Sequence, residues 1–144
     1  MPEVRIFEGA TSKDGRGRIA FVNDFTFTGI KRCYHITHHS TETVRAWQGH
    51  RIEHKYFFVP HGQFLLAWVQ IDIWNTPSVH HKAAYTILSE NEPRVLCIPP
   101  GYANGIKALV AGSTLSVYSD LSLAESEKDR WSFDQSLWLD WSLF

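Results

Sequence analysis

Residues 44–62 hold the side chains of this sequence that are best suited to acid–base chemistry and anion binding. Histidine takes up and releases a proton near neutral pH, and arginine and lysine bind anions. Residues 56–59 are aromatic and β-branched, which predicts a strand packed on a core. Successive side chains on a strand point to opposite faces, so Gln48 and His50 are expected to share one face. The polar side chains of the block are Arg45, Gln48, His50, Arg51, Glu53, His54 and Lys55.

The elements that must position this block are short strands separated by turn signals such as Pro60-His61-Gly62. Eight or more strands at close spacing, with little helix, are typical of an all-β barrel or sandwich. The predicted strands are 18–23, 30–37, 44–50, 55–59, 64–74, 83–88, 94–98, 105–110 and 113–119.

The C-terminal tail differs from the strands in composition, with a helix-capping pattern and several tryptophans. Ser122 is a plausible N-cap with Glu125 three residues on, which predicts a short helix. Trp131, Trp138 and Trp141 are too large and apolar to sit free in water, so they are expected to cover the barrel or a dimer partner. We therefore expect one domain over residues 1–144, with a barrel core from about residue 15 to about residue 120 and the tail at 121–144.

Composition excludes several function classes. The chain is 44% hydrophobic and 20% charged with a net charge of −1, which argues against disorder and against nucleic acid as the partner. No apolar run reaches the roughly 18 residues of a membrane helix, and residues 1–10 do not resemble a signal peptide. Cys33 and Cys97 lack metal-site spacing and are expected to be buried thiols in a reducing, cytoplasmic compartment.

The spacing of the central block resembles the first motif of the cupin superfamily, which is HxH, four residues, E, six residues and G. A second cupin motif, PxGxxH, is matched in spacing by residues 99–104. The resemblance implies a jelly-roll β-barrel with a short helical tail, and it places the four metal-ligand positions at Gln48, His50, Lys55 and Asn104. Two amides and an ammonium are poor ligands for a divalent transition metal, so we expect no metal, and a metal-dependent cupin oxygenase is the least favoured activity.

Within the cupins, the chain resembles the dTDP-4-dehydrorhamnose 3,5-epimerases and the dTDP-sugar 3,4-ketoisomerases. The resemblance covers residues 15–141 and rests on Asp24-Phe25, on the block from Arg45 to Lys55, on the segment IPPGYANG at 98–105, and on residues 133–141. These relatives are metal-free, which agrees with the ligand argument.

The resemblance implies proton transfer next to the ketone of a nucleotide-linked 4-keto-6-deoxy sugar, in cell-surface polysaccharide biosynthesis, without a cofactor. A base removes a proton alpha to the carbonyl, an enolate forms, and a proton returns on another face or another carbon. Lys55 would stabilise the enolate oxygen, and Arg45, with Arg32 or Arg51, would bind the pyrophosphate. The catalytic candidates are His50, Lys55, His54 and Tyr34, and the substrate-binding candidates are Arg45, Gln48, Arg32, Arg51, Asn104 and Tyr102.

The departures from the family pattern concern the proton-transferring groups. Gln48 falls on the position of the catalytic histidine, and an amide cannot act as a base, so His50 would act alone or with His54 or Tyr34. Asn104 replaces the later histidine of the epimerases, and Leu121 or Leu123 stands in the region of their catalytic tyrosine.

Two functions from different classes remain open at this point. The leading hypothesis is a nucleotide-sugar epimerase or ketoisomerase, and the alternative is a non-catalytic cupin that binds a sugar or nucleotide-sugar. The resemblance also implies a homodimer, because family members exchange N-terminal strands.

Overall fold

Two five-stranded antiparallel sheets face each other in the computed structural model, which describes residues 2–144. The strands are β1 Arg5–Glu8, β2 Ala10–Asp14, β3 Gly17–Phe21, β4 Arg32–Ile36, β5 Val44–His50, β6 Lys55–His61, β7 Gln63–Gln70, β8 Ala84–Ser89, β9 Arg94–Ile98, β10 Tyr102–Ala108, β11 Thr114–Ser119 and β12 Trp131–Ser132. In one sheet, here the front sheet, the strand order is β1-β9-β6-β11-β4, and in the back sheet it is β12-β5-β10-β7-β8. Within residues 2–144, β2 and β3 pair only with each other. The predicted jelly-roll β-barrel is confirmed.

Alternation of side chains fills the space between the sheets. In β6, for example, Lys55, Phe57 and Val59 are buried while the residues between them are only partly buried. Removing these apolar side chains from water is the main favourable term for this fold. The interior cluster comprises Phe57, Val59, Phe64, Leu66, Leu88, Leu96, Ile98, Tyr102, Ile106, Ala108, Leu115 and Val117.

A one-residue bulge in β5 decides which of its side chains point inward. Asn104 of β10 pairs with Gln48, but the next residue, Gly105, pairs with Ala46, so that Trp47 is the extra residue in β5. A bulge of this kind changes the phase of alternation along the strand. Arg45 and Gln48 therefore both face the interior although they are three residues apart.

The C-terminal tail packs on the outer face of the back sheet. Trp138 and Trp141 are buried there against Trp47, with ring centroids 5.5 and 5.4 Å from it. The buried ammonium of Lys107 donates to the backbone carbonyls of Trp141 and Phe144 at 3.1 and 2.7 Å. The sequence did not decide whether these two tryptophans cover the barrel or a dimer partner. The structure shows that they cover the barrel.

The helix expected after Ser122 is present as α1, Leu123–Glu127. The Ser122 side chain accepts from the backbone of Glu125, and the Glu125 side chain accepts from the backbone of Ser122, which completes the predicted capping box. A short 3-10 helix, Trp141–Leu143, closes the tail. No helix within residues 2–144 is both long and apolar enough to cross a membrane.

The N-terminal region differs from expectation. Strand β1 pairs with β9 in the front sheet, so the sheets begin at Arg5 and not near residue 15. Cys97 is buried as expected, but Cys33 lies on the outer face of β4 and is exposed. The homodimer stays a prediction.

The close packing of the tail makes Gly105 sensitive to substitution. A Cβ at this position would lie 2.7 Å from Cζ2 of Trp141 and 2.8 Å from Cβ of Ala46, which is inside van der Waals contact. We expect Gly105→Ala to lower the free energy of unfolding by about 1–3 kcal/mol through overpacking, measured by urea denaturation. Gly15→Ala is the matched control, because none of the described atoms lies within 4 Å of its Cβ position. Equal stability of the two variants would contradict the close packing of the tail.

Candidate functional site

A cavity of about 500 Å³ opens between the two sheets at one end of the barrel. This volume is within the range of small-molecule sites in proteins. Its buried members are Trp47, Lys55, Phe57 and Ile106, whereas Arg45, Gln48, Arg130 and Ser132 are exposed and lie toward the mouth. The remaining lining residues are Arg32, Tyr34, Ile36, Ala46, Asn104 and Phe133.

Strand alternation and the β5 bulge bring these side chains together. Arg32, Tyr34 and Ile36 alternate along β4 and face inward. Lys55 begins β6, which is two strands away from β4 in the front sheet, with only β11 between them. The back sheet places Gln48 directly opposite Asn104 in the β5–β10 ladder. Six sequence-predicted residues therefore line one cavity: Arg32, Tyr34, Arg45, Gln48, Lys55 and Asn104.

Tyr34 and Lys55 form the closest polar contact in the cavity. The Lys55 ammonium donates to the phenolic oxygen of Tyr34 at 2.6 Å. The guanidinium of Arg32 lies over the Tyr34 ring, 4.8 Å from its centroid. Two cations thus flank one phenol, and one of them donates directly to the phenolic oxygen.

The cavity is strongly cationic. Four of its lining side chains carry positive charge, namely Arg32, Arg45, Lys55 and Arg130, and among the described residues no carboxylate or histidine lines it. Arg45 also donates from Nε to Nε2 of His38 at 3.2 Å, which fixes its side chain at the mouth. Guanidinium groups with free donors near an apolar floor suit a phosphate or diphosphate.

His50 lies on the inner face of β5 but is sealed behind the cavity wall. Its side chain is almost fully buried, and Nδ1 donates to the backbone carbonyl of Asp129 at 2.8 Å. Burial and the charge of Lys55 lower the pKa of His50 below its ordinary value, against the opposing effect of the Asp129 carbonyl. The Nε2 atom is buried and has no hydrogen-bond partner among residues 2–144. His50 is therefore a neutral imidazole without contact to the cavity.

Three other predicted site residues lie away from the cavity. The loop at 51–54 interrupts the strand, so His54 does not share a face with His50, and its Nδ1 contacts the Asp120 carboxylate at 2.7 Å. Arg51 stacks outside the back sheet between two tryptophan rings, 5.7 Å from each centroid. Tyr102 packs in the interior cluster.

Several lining residues were not predicted from the sequence. Arg130, Ser132 and Phe133 come from the tail, which pairs with β5 through β12. They lie about eighty positions after the central block, and no motif spacing connects the two segments. Only the resemblance of residues 133–141 to the family pointed to this part of the chain.

The residues at the cupin metal-ligand positions do not fit a divalent transition metal. Gln48 and Asn104 offer neutral amides, and Lys55 offers an ammonium that would have to lose its proton. His50 supplies the one imidazole, and its Nδ1 already donates to a carbonyl. The chemistry of this donor set agrees with the expectation of no metal.

A second cluster, His50, Glu53 and Asp129, has donor atoms within 4.8 Å of one another. The Asp129 carboxylate, however, accepts three backbone N–H groups from residues 51–53, each at 2.8 Å. The Glu53 carboxylate accepts the hydroxyls of Ser119 and Ser126. These oxygens are occupied by the protein itself, so the cluster stabilises the 51–54 loop and is a poor metal site.

Comparison with known proteins gives matches in structure alone. No protein-family model matches the chain, and no curated protein sequence matches it. Among solved structures, a dTDP-4-dehydrorhamnose 3,5-epimerase from Bacillus anthracis is similar, with a TM-score of 0.77 and 17% identity over 96% of this chain and 85% of that chain. The rmlC epimerase of Mycobacterium tuberculosis has a TM-score of 0.76 and 17% identity, over 97% of this chain and 74% of its own.

A 3,4-ketoisomerase from Thermoanaerobacterium thermosaccharolyticum, solved with TDP-4-keto-6-deoxyglucose, is also similar. Its TM-score is 0.69 and its identity 19%, over 88% of this chain and 85% of that chain. At these identities the comparisons show the fold, and the predicted resemblance is confirmed at that level. The chain has the RmlC-like cupin jelly-roll fold.

The buried His50 should make the protein less stable as the pH falls. Because its pKa is lower in the folded state than in the unfolded chain, the unfolded chain binds the proton first as pH falls. The contribution of the neutral His50 to the free energy of unfolding should therefore be complete above about pH 6.5, the ordinary pKa of histidine, and should decrease below that pH. We expect His50→Gln to flatten this decrease by up to about 1.4 kcal/mol per pH unit, measured by urea denaturation between pH 5 and pH 8.

The exposed His80 provides the control for this measurement. His80→Gln should leave the slope of stability against pH unchanged. A His50→Gln variant with the wild-type slope would show that the imidazole is not held neutral by burial.

Proposed function

We propose that this protein binds a nucleotide-linked 4-keto-6-deoxy sugar and moves a proton next to its ketone, as an epimerase or 3,4-ketoisomerase that uses no metal. The observation that carries the proposal is the cavity itself, where a hydrogen-bonded phenol and ammonium, Tyr34 and Lys55, lie among further cations. The fold is that of solved dTDP-sugar epimerases and ketoisomerases, which supports this class of reaction.

The mouth of the cavity is where the diphosphate of such a ligand would bind. Arg45 and Arg130 are both exposed and have guanidinium donors available, and neither forms an ion pair with a described carboxylate. Charge-assisted hydrogen bonds to a diphosphate would orient the ligand with its sugar toward the buried Lys55. Gln48 and Asn104, opposite each other on the back sheet, can each donate to and accept from sugar hydroxyls.

Proton transfer in this cavity would use Tyr34 in place of a histidine. In the proposed step, Tyr34 with its phenolic proton removed takes the proton from the carbon alpha to the ketone and becomes the phenol, while the Lys55 ammonium, 2.6 Å away, donates to its oxygen. The electron pair of the broken C–H bond moves into the enolate, whose oxygen Lys55 or Arg32 stabilises. For ketoisomerisation, the hydroxyl proton on the C3 oxygen then passes to the C4 oxygen, the phenol gives its proton to C4 as C3 becomes the carbonyl carbon, and the deprotonated Tyr34 is restored.

The number of acid–base groups favours one of the two reactions. Epimerisation needs a base and an acid on opposite sides of one carbon, whereas ketoisomerisation can use a single group that serves neighbouring atoms on one side. The described cavity contains one phenol–ammonium pair and no second proton-transferring side chain beside it. This supports ketoisomerisation as the finer assignment.

The alternative function is binding without catalysis. Gln48 and Asn104 favour it, because amides stand where the epimerases of the family have histidines and cannot transfer protons at neutral pH. The same cavity would then hold the nucleotide-sugar through its arginines alone. The two functions differ in whether a carbon-bound proton exchanges with solvent.

The first test is deuterium exchange at the sugar. The protein is incubated in deuterium oxide with dTDP-4-keto-6-deoxyglucose, and the C3 and C5 proton signals are followed by NMR. We expect washout at C3, and a loss of at least about 100-fold in rate for Tyr34→Phe with dTDP affinity retained, since the phenol is the base. His54→Gln, which changes a histidine outside the cavity, should exchange at the wild-type rate. Binding without washout would overturn the enzyme proposal in favour of the binding module.

A second test concerns the diphosphate site. Arg45→Gln and Arg130→Gln should each weaken dTDP binding about tenfold, because each removes one charge-assisted contact to the phosphates. Arg51→Gln is the matched control, since Arg51 stacks on tryptophans outside the cavity. The measurement is isothermal titration calorimetry at low ionic strength. An equal loss in the Arg51 variant would indicate that dTDP binds elsewhere.

A further inference from the structure

Glu53 is a buried carboxylate directly behind the cavity wall. Its side chain has no exposure to solvent and is absent from the cavity lining. One oxygen, Oε2, accepts from the Ser119 hydroxyl and lies 3.5 Å from the Arg32 guanidinium and 3.9 Å from the Lys55 ammonium. The other oxygen, Oε1, accepts from the Ser126 hydroxyl at 2.8 Å and lies 3.3 Å from Nδ1 of His50. Each oxygen therefore has several polar partners.

The surroundings of Glu53 keep its charge. Burial raises the pKa of Glu53, but the Ser119 hydroxyl, the Lys55 ammonium and the Ser126 hydroxyl together hold it below its usual value. A buried carboxylate is tolerated only with such compensation, because desolvation of an unpaired charge is costly. Glu53 is thus ionised at neutral pH and acts as a counter-ion.

The two cations that Glu53 compensates are the two that flank Tyr34. Arg32 lies over the Tyr34 ring, and Lys55 donates to the Tyr34 oxygen. One carboxylate behind the wall therefore faces both cations from the side opposite the cavity. His50 and Asp129 are the other titratable groups in this cluster, and both are engaged with the protein through the contacts already described.

We propose that Glu53 is a positioning residue, which holds Arg32 and Lys55 around Tyr34 and limits the positive charge that the cavity presents to its ligand. The proposal rests on the proposed function for its catalytic consequence. Without the carboxylate, Arg32 and Lys55 lose the anion that both face, and their like charges repel each other. The two cations are then no longer held in place around Tyr34.

This reasoning predicts a split between binding and chemistry in Glu53→Gln. The amide keeps the volume of the side chain and can still accept the serine hydroxyls, but it removes the negative charge. Affinity for dTDP should be retained or rise, because the cavity becomes more cationic. The rate of proton exchange should fall at least about tenfold at saturating ligand, because the ammonium is misplaced. A residue with a purely structural role would lower affinity, rate and stability together.

The experiment compares wild-type protein, Glu53→Gln, Ser126→Ala and the control Glu92→Gln. Ser126→Ala removes a hydrogen bond to Glu53 and one from Arg32, at 2.8 and 3.1 Å, without changing any charge, and should shift the exchange rate in the same direction by a smaller factor. Glu92 is a surface carboxylate, 70% exposed, and its variant should behave as wild type. Affinity is measured with dTDP by calorimetry, exchange by NMR as above, and the folded fraction by thermal denaturation.

A direct readout of positioning does not depend on catalysis. The side-chain ammonium signal of Lys55 in ¹⁵N NMR, identified by its absence in Lys55→Met, should broaden or vanish in Glu53→Gln. The buried Lys107, held by carbonyls on the far side of the back sheet, is the internal reference and should keep its signal.

The outcomes separate this proposal from the proposed function. If the wild type binds dTDP and exchanges no proton, the proposed function fails, and the Lys55 signal and dTDP affinity of Glu53→Gln still decide the role of Glu53. If Glu53→Gln leaves the Lys55 signal, the affinity and the exchange rate unchanged, the positioning role is wrong. It is also wrong if Glu53→Gln does not fold and a folded Ser126→Ala variant changes neither the Lys55 signal nor the rate.

Discussion

Compensation of buried charge is the constraint on which this site depends. Two apolar sheets leave little water between them, so a lysine can face the interior only beside an opposite charge or a strong acceptor. Lys55 has both, with Tyr34 on the cavity side and Glu53 behind the wall. Glu53 in turn is stable there because two serine hydroxyls and Arg32 share its oxygens. The cavity can therefore be cationic without making the barrel unstable.

Under the proposed function, this arrangement supplies the acid–base groups of a cavity that lacks both metal ligands and a histidine. An imidazole transfers protons near neutral pH without much help, whereas a phenol needs neighbouring positive charge to do so. In this chain the histidine at the motif position, His50, donates to the backbone carbonyl of Asp129 and is buried behind the cavity wall. The proposed reactive pair consists instead of Tyr34 from β4 and Lys55 from β6, both on the front sheet. The proposed chemistry thus lies on the wall opposite the one that the motif emphasises.

The sequence predicted the scaffold and six residues that line the cavity, among them Tyr34 and Lys55, but it also expected His50 there. Motif spacing brought Gln48, Lys55 and Asn104 to one cavity, because ligand positions in a barrel follow from strand pairing, which spacing preserves. It could not show that His50 is sealed, since that depends on Asp129, almost eighty residues later. Arg130 was missed for the same reason, as it reaches the cavity only through the pairing of β12 with β5. Contacts between distant segments carry no local signal in a single sequence.

Because of the extra residue in β5, the number of residues in this strand determines which side chains face the cavity. The back sheet is a partition between the charged cavity and the tryptophan layer beneath the tail, and β5 supplies residues to both compartments. A slip of one residue turns every side chain of a strand to the other face. Loss of one residue between Arg45 and Gln48 would remove the bulge and leave both side chains on the cavity face, because residues two apart share a face. Loss of Gly49 would instead put Gln48 and His50 on opposite faces and bring one of them to the tryptophan layer. Point substitutions leave this partition intact, so among the sequence changes available to β5 an insertion or deletion outside the bulge is the one that exchanges the contents of the two compartments.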